Sequence, residues 1–328
     1  MIRLFSCTLA LTVCLCASFA CQPSADTREA PAAKDDPAAS STPMRTASQT
    51  TDDASFPLPD SLLVPPSDST RARFDSVMAA ASERDLADKP LGDIVAAVGA
   101  MFESAPYLTG TLDEPPVETL VVRFDGFDCV TFVETALALG RGIAQQDTSY
   151  AGFVRRLADL RYRNRSIGYC ERLHYFSDWM ETNRRSGWLK TDLEIGTMRT
   201  LRDTLDFMSR HRSAYSRFAS NDSLFRCVRD MEDRLLTRGE DVVRFVPQDS
   251  IRSVYPTLRS GDVVALITSI DGLHVTHTGL AVEREDGGIG LLHASTSGGV
   301  LVSPDIQRYV RQIDHQIGIV VARPQAER

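Results

Sequence analysis

At Gly261 the hydrophobic residues of this chain change period, and few architectures accommodate both halves. Beyond it, "DVVALIT", "TGLAVER", "GIGLLHAS" and "QIGIVVAR" are short Val-, Ile- and Leu-rich runs divided by Gly or Asp, which is a strand pattern. Before it, apolar residues recur every three or four positions. Phe74, Val77 and Met78 form one set, and Leu91, Ile94, Val95 and Val98, continued by Met101 and Phe102, form another. "GFVRRLADLRYR" and "SLFRCVRDMEDRLL" add helical material between residues 150 and 240. A chain that is helical first and carries a small antiparallel sheet second is α+β. The expected layout is one domain over residues 58–328, helical at 58–255 and sheet-forming at 256–323.

The N-terminus has Arg3, an apolar run from Leu4 to Phe19, and then Ala20-Cys21. The run is too short to remain as a membrane span. Residues 1–20 read as a lipoprotein-type export signal, with cleavage before Cys21 and lipid on its sulfur; ordinary cleavage after Ala20 is the alternative. Residues 21–57 are Ala, Ser, Thr, Pro and Asp with almost no large apolar side chain, as expected of a disordered tether. The expected location is therefore the periplasm, lipid-anchored to the outer membrane. A net charge of -8 without a Lys/Arg block lacks the attraction to phosphate that nucleic-acid binding needs.

Of seven cysteines, Cys7, Cys14 and Cys16 leave with the signal. With Cys21 lipidated, Cys129, Cys170 and Cys227 remain, an odd number in an oxidising compartment. One thiol is left over, and whether Cys170 and Cys227 pair is open. In "FDGFDCVTFVE" (124–134), Val130, Val133, Ala136 and Leu137 have helical spacing, so a helix is expected to start at about Cys129 with Asp128 near its cap. The positive end of that helix favours a thiolate. Position alone favours a small buried side chain over a reactive one.

A nucleophilic thiol needs a base. His277 opens one C-terminal strand and His293 ends the next, with "EDGG" between them. If the loop spans residues 284–288, residue 277 pairs with 295 and shares a sheet face with 293. Cys129 then attacks a carbonyl, His277 moves the proton, and His293 fixes the tautomer of His277. The same three side chains could instead ligate zinc, although no second cysteine or carboxylate motif completes such a site. The expectation is no metal and no cofactor.

"FDCVTFVE", "HTGLAVE" and "LLHAS" resemble the Cys, His and His segments of NlpC/p60-type papain-like cysteine peptidases. More narrowly, "PYLTGTLD", "FDCVTFVETALAL", "YRNRSIGYCERLHYFSDW", "MSRHRSAY", "SGDVVALIT", "GLHVTHTGLAV" and "LLHAS" resemble, in the same order, a bacterial family of exported N-acetylmuramoyl-L-alanine amidases. The resemblance runs from about residue 70 to the C-terminus. It implies a papain-like core in which the cysteine-bearing helix packs on an antiparallel sheet or barrel. It also implies cleavage of the amide between N-acetylmuramic acid and the L-alanine of the stem peptide through a Cys129 thioester, on peptidoglycan fragments such as anhydro-muropeptides. Cys129, His277 and His293 match the nucleophile, base and orienting positions. Tyr107 matches a tyrosine beside the nucleophile, placed to help stabilise the oxyanion with the Cys129 amide. Arg172, His174 and Tyr175 belong to a segment expected to shape the pocket, and His211, Ser295 and Asp128 are grouped with them more weakly. The membrane is expected as a partner through the N-terminal lipid only, with no obligate protein partner.

Two other readings keep the same residues. One is a γ-D-glutamyl-diamino acid endopeptidase of stem peptides, and the other is a noncatalytic wall-binding lipoprotein.

Overall fold

The computed structural model describes residues 65–193 and 195–326. The signal-like segment, Cys21, the tether and residues 58–64 lie outside them. Five helices come first: α1 (Asp68–Glu83), α2 (Leu91–Ala100), α3 (Cys129–Ala144), α4 (Tyr150–Arg161) and α5 (Phe176–Arg185). There follow β1 (Leu189–Lys190), β2 (Arg199–Arg202), the short α6 (Phe207–Arg210), α7 (Asp222–Thr237) and β3 (Val242–Pro247). The C-terminal part holds β4 (Val263–Thr268), β5 (Val275–Glu283), β6 (Ile289–Ser295), β7 (Gly299–Ser303), α8 (Ile306–Arg311) and β8 (Gln316–Pro324). All strands pair antiparallel. The sheet order is β2-β3-β8-β4-β5-β6-β7, with β1 also on β8.

The sheet is larger than the sequence suggested, and the boundary at residue 256 does not hold. β1, β2 and β3 precede that boundary and still join the sheet. β2 is "RTLR", four residues with one apolar side chain, and it gains its order by pairing with β3. Such pairing leaves no local period to read.

Both faces of the central strands are covered. Val263, Ala265, Leu280, Leu292 and Ala322 face the core made with α2, α3 and α4. Val264, Leu266, Ala281, Leu291 and Val321 face a second core closed by Ile306 and Val310 of α8 and by Ile251 and Val254. Two-sided burial explains why these strands read as continuous apolar runs and not as alternating ones.

α3 is the central helix. Residues around its whole circumference are buried, so it touches the sheet, α2 and α4 at once. Close approach to α2 is made at Gly140, where a Cβ would lie 2.7 Å from Val95 Cγ2. A third apolar cluster, with Phe207, Phe218, Val228 and Met231, carries Tyr169 and Tyr175 and joins the segment before α5 to α7. Cys170 and Cys227 form a disulfide across it with a sequence separation of 57. Closing a loop of that length contributes roughly 4 kcal/mol by restricting the unfolded chain. Cys129 keeps its thiol.

Candidate active site

Asp128 makes Cys129 the first residue of α3. Its Oδ1 accepts from the amides of Val130 at 3.0 Å and Thr131 at 2.8 Å, and Thr131 Oγ1 accepts from the Asp128 amide at 3.0 Å. This reciprocal capping box fixes where the helix begins. Asp128 Oδ1 is thus engaged by the first turn of the helix. Just before it, Phe127 pairs with Tyr107 in an isolated parallel bridge, holding "PYLTG" alongside the start of the helix.

Cys129 is only 6% exposed, but it lines a cleft. Tyr107, Asp128, Arg172, His174, Tyr175 and His277 line the same cleft. Glu134, Arg161, Asp113, Tyr169 and Tyr215 also contribute to its wall.

The β5–β6 loop is residues 284–288, and the ladder runs from Glu283↔Ile289 to Leu280↔Leu292. It ends there. Ser295 pairs with Gly299 of β7 instead of with residue 277. The alternation nevertheless puts His277 and His293 on one face, together with Ala281 and Leu291. Gly279 lies between them, and a Cβ on it would meet His293 Cβ at 2.8 Å. The two imidazoles share a hydrogen bond of 2.7 Å between His277 Nε2 and His293 Nδ1. On its far side His293 Nε2 lies 2.9 Å from Ser303 Oγ of β7. The Tyr309 ring of α8 packs 4.7 Å from His293 and 6.0 Å from His277, centroid to centroid. His293 is fully buried, and burial, with His277 next to it, pushes its pKa down to about 2. It therefore stays neutral. With Nε2 engaged, Nδ1 is the nitrogen that His277 has left for a proton from the cleft.

This contact also bears on the zinc alternative. Two nitrogens on one tetrahedral zinc stand about 3.3 Å apart and both aim their lone pairs at the metal. Here Nε2 and Nδ1 are joined to each other at 2.7 Å. Among the described residues no group of three His, Cys, Asp or Glu is arranged to hold a metal ion.

The other expected residues divide. Arg172 lines the cleft, but Nη2 donates to Asp113 Oδ1 at 2.5 Å and Nη1 to the Leu112 carbonyl at 3.1 Å. Burial disfavours its charge, and Asp113 and Glu118 more than offset that, raising its pKa. His174 Nε2 contacts the Tyr169 carbonyl at 2.7 Å, and its ring packs 4.6 Å from that of Tyr169. Desolvation first, and the Arg172 charge second, lower its pKa to about 3. Tyr175 donates to Glu232 Oε1 at 2.8 Å and accepts from the Met208 amide at 3.0 Å, so its hydroxyl ties α5 to α6 and α7. Two others lie outside the residues that line the cleft. His211 is not at the cleft, because Nδ1 contacts the Phe207 carbonyl at 2.7 Å and the ring packs on Phe207. Ser295 is not there either, since its hydroxyl is 2.9 Å from that of Ser297 in the β6–β7 turn.

Several site residues were missed. Glu134 and Arg161 form a buried ion pair at 2.7 Å in the cleft wall, with Trp179 Nε1 donating to the other carboxylate oxygen at 3.1 Å. The signal was an acid inside the apolar run "VTFVETALAL"; its partner lies 27 residues away and leaves no local trace. Ser303 and Tyr309 had no signal.

The family described as N-acetylmuramoyl-L-alanine amidase-like matches residues 97–319 of this chain. The chain belongs to that family. The match includes every cleft-lining residue and both histidines. This family member is similar to an N-acetylmuramoyl-L-alanine amidase from Bacteroides uniformis, with 29% identity, a TM-score of 0.65, and coverage of 72% of this chain and 99% of the other. It is also similar to a Bacteroides fragilis protein named as a candidate xylanase, at 33% identity and TM-score 0.63, covering 69% and 98% of the two chains. A Legionella pneumophila protein at 19% identity and TM-score 0.57, covering 78% and 93%, shares the fold. Among curated proteins, none matches the sequence.

Proposed function

We propose that the protein hydrolyses the N-acetylmuramoyl-L-alanine amide of peptidoglycan fragments, using Cys129 as nucleophile. The observation that carries this reading is the meeting in one cleft of a helix-start cysteine with a histidine held by a second, neutral histidine. Membership of the N-acetylmuramoyl-L-alanine amidase-like family supports this choice of bond.

In this mechanism His277 Nδ1 takes the Cys129 thiol proton, and the sulfur adds to the lactyl carbonyl. The oxyanion is stabilised by the Cys129 amide at the positive end of α3 and by the Tyr107 hydroxyl. On collapse the C–N bond breaks and His277 returns its proton to the leaving alanine nitrogen. Water, deprotonated by His277, then cleaves the thioester and releases the muramic carboxylic acid. His293 stays neutral and holds the ring of His277. Asp113, paired with Arg172, and the rings of Tyr169 and Tyr215 supply a polar and aromatic wall for the sugar or stem.

Glycoside cleavage would need two carboxyl groups able to act on one bond. The carboxylates of the cleft are engaged elsewhere: Asp113 with Arg172, Asp128 with the helix cap, Glu134 with Arg161. The Cys170–Cys227 disulfide supports an oxidising compartment, and with it the reading of residues 1–20 as an export signal and of Cys21 as a lipid anchor.

The test is incubation of the purified protein with a defined anhydro-disaccharide tetrapeptide, with products read by mass. Free disaccharide plus intact tetrapeptide is expected. A disaccharide still carrying two amino acids would mean the endopeptidase instead, and no products would mean a binding protein.

A further inference from the structure

The proton arrangement between His293 and His277 is coupled to the group behind His293. Two neutral imidazoles joined by one hydrogen bond have two proton arrangements. In the first, His277 Nε2–H donates to His293 Nδ1, and His293 carries its own proton on Nε2. In the second, His293 Nδ1–H donates to His277 Nε2, and His293 Nε2 is bare. Only the first survives when His277 takes the thiol proton at Nδ1. The imidazolium is then protonated on both nitrogens and needs an acceptor, not a donor, 2.7 Å away at His293 Nδ1.

His293 cannot help by charge. It is fully buried, and its pKa is pushed far down by burial and by His277, so it remains a neutral dipole. Its contribution to His277 therefore depends on tautomer. The partner of His293 Nε2 is Ser303 Oγ, 2.9 Å away on β7, which pairs His293 with Leu301 two residues before the serine.

We propose that Ser303 is a positioning residue for the reaction: by accepting Nε2–H of His293 it holds that ring in the tautomer that stabilises protonated His277. The chain is then Cys129, His277, His293, Ser303. One proton moves, from the Cys129 sulfur to His277 Nδ1, and every other proton stays on its atom. A serine hydroxyl can accept from Nε2–H of His293 or donate to a bare Nε2, and only acceptance is compatible with a protonated His277. The titratable groups facing this chain are Tyr309 from α8, beside both rings, and Tyr107, Asp113, Asp128, Glu134, Arg161, Tyr169, Arg172, His174, Tyr175 and Tyr215 around the cleft that Cys129 and His277 line. This inference rests on the cysteine mechanism above, but its readout does not depend on which bond is cut.

The experiment compares the full-length chain with Ser303→Val and Ser303→Thr, which have the same shape and differ in the hydroxyl. Ser303→Ala serves as a second hydroxyl-free variant should valine unfold the strand, as judged by thermal melting. The rate of Cys129 alkylation by iodoacetamide is followed from pH 5 to 9. The wild type and Ser303→Thr should show a thiolate well below pH 7. The hydroxyl-free variants should react about tenfold more slowly at pH 6 and converge with wild type at pH 9, a shift of about one pH unit. With the muropeptide, kcat should fall by a similar factor with KM unchanged. Superimposed alkylation profiles for folded Ser303→Val or Ser303→Ala and the wild type would overturn the role of Ser303 while leaving the cysteine mechanism standing. An ordinary thiol profile in the wild type itself would overturn both.

Discussion

Cys129→Ala is expected to lower kcat/KM for the muropeptide amide by at least about 10⁴-fold, the scale seen when a covalent nucleophile is removed from a site that acts as a unit. The folded state should hardly notice. Cys129 is the first residue of α3, and the cap that fixes this helix is made by Asp128 and Thr131, which the substitution leaves intact. Its side chain is small and sits at the cleft, so melting temperature is expected to stay within a few degrees of wild type. The hydrogen bond between His277 and His293 also remains. What disappears is the atom that accepts the acyl group. Activity within tenfold of wild type would mean that water attacks directly, and the roles given to both histidines would fall with it.

The second large effect is on stability. Glu134 and Arg161 are 1% and 3% exposed at the side chain, and their carboxylate and guanidinium meet at 2.7 Å. Burial pushes the Glu134 carboxyl up, while Arg161 and Trp179 act in the opposite sense. Glu134→Ala strands the Arg161 cation, leaving it, among the described residues, the Val121 carbonyl 2.6 Å from its Nη1. Breaking a buried pair in this way costs about 3–5 kcal/mol. For a domain of this size that lowers the melting temperature by roughly 10 °C. The double replacement Glu134→Met with Arg161→Met should lose much less, because no charge is left buried. Equal losses for the single and double variants would show that the site responds to lost packing and not to an orphaned charge.

The parts of this site that the sequence revealed are the local ones. The start of α3 could be read because Asp128 and the apolar spacing after Cys129 lie within one turn of each other. The face shared by His277 and His293 followed from the length of one loop, and residues 284–288 are that loop. β4, β5, β6 and β8 showed themselves as apolar runs because they are buried on both sides. The rest depends on distant partners. β2 and β3 are strands because they find each other and β8, not because of their own period. The Cys170–Cys227 bridge spans 57 residues, and Arg161 meets Glu134 across 27. His211 was grouped with the site only through the resemblance of "MSRHRSAY", and its ring contacts the carbonyl four residues back, a local bond that polar side chains at short helices often make.

The sharpest measurement is turnover in the presence of hydroxylamine, which captures an acyl group from a thioester whether or not that intermediate accumulates. A muramoyl thioester formed on Cys129 predicts a hydroxamate on the lactyl carboxyl of the sugar, together with the intact stem peptide, and neither product with Cys129→Ala. A hydroxamate on the glutamate of a dipeptidyl sugar, or hydrolysis that continues with no hydroxamate at all, would contradict it.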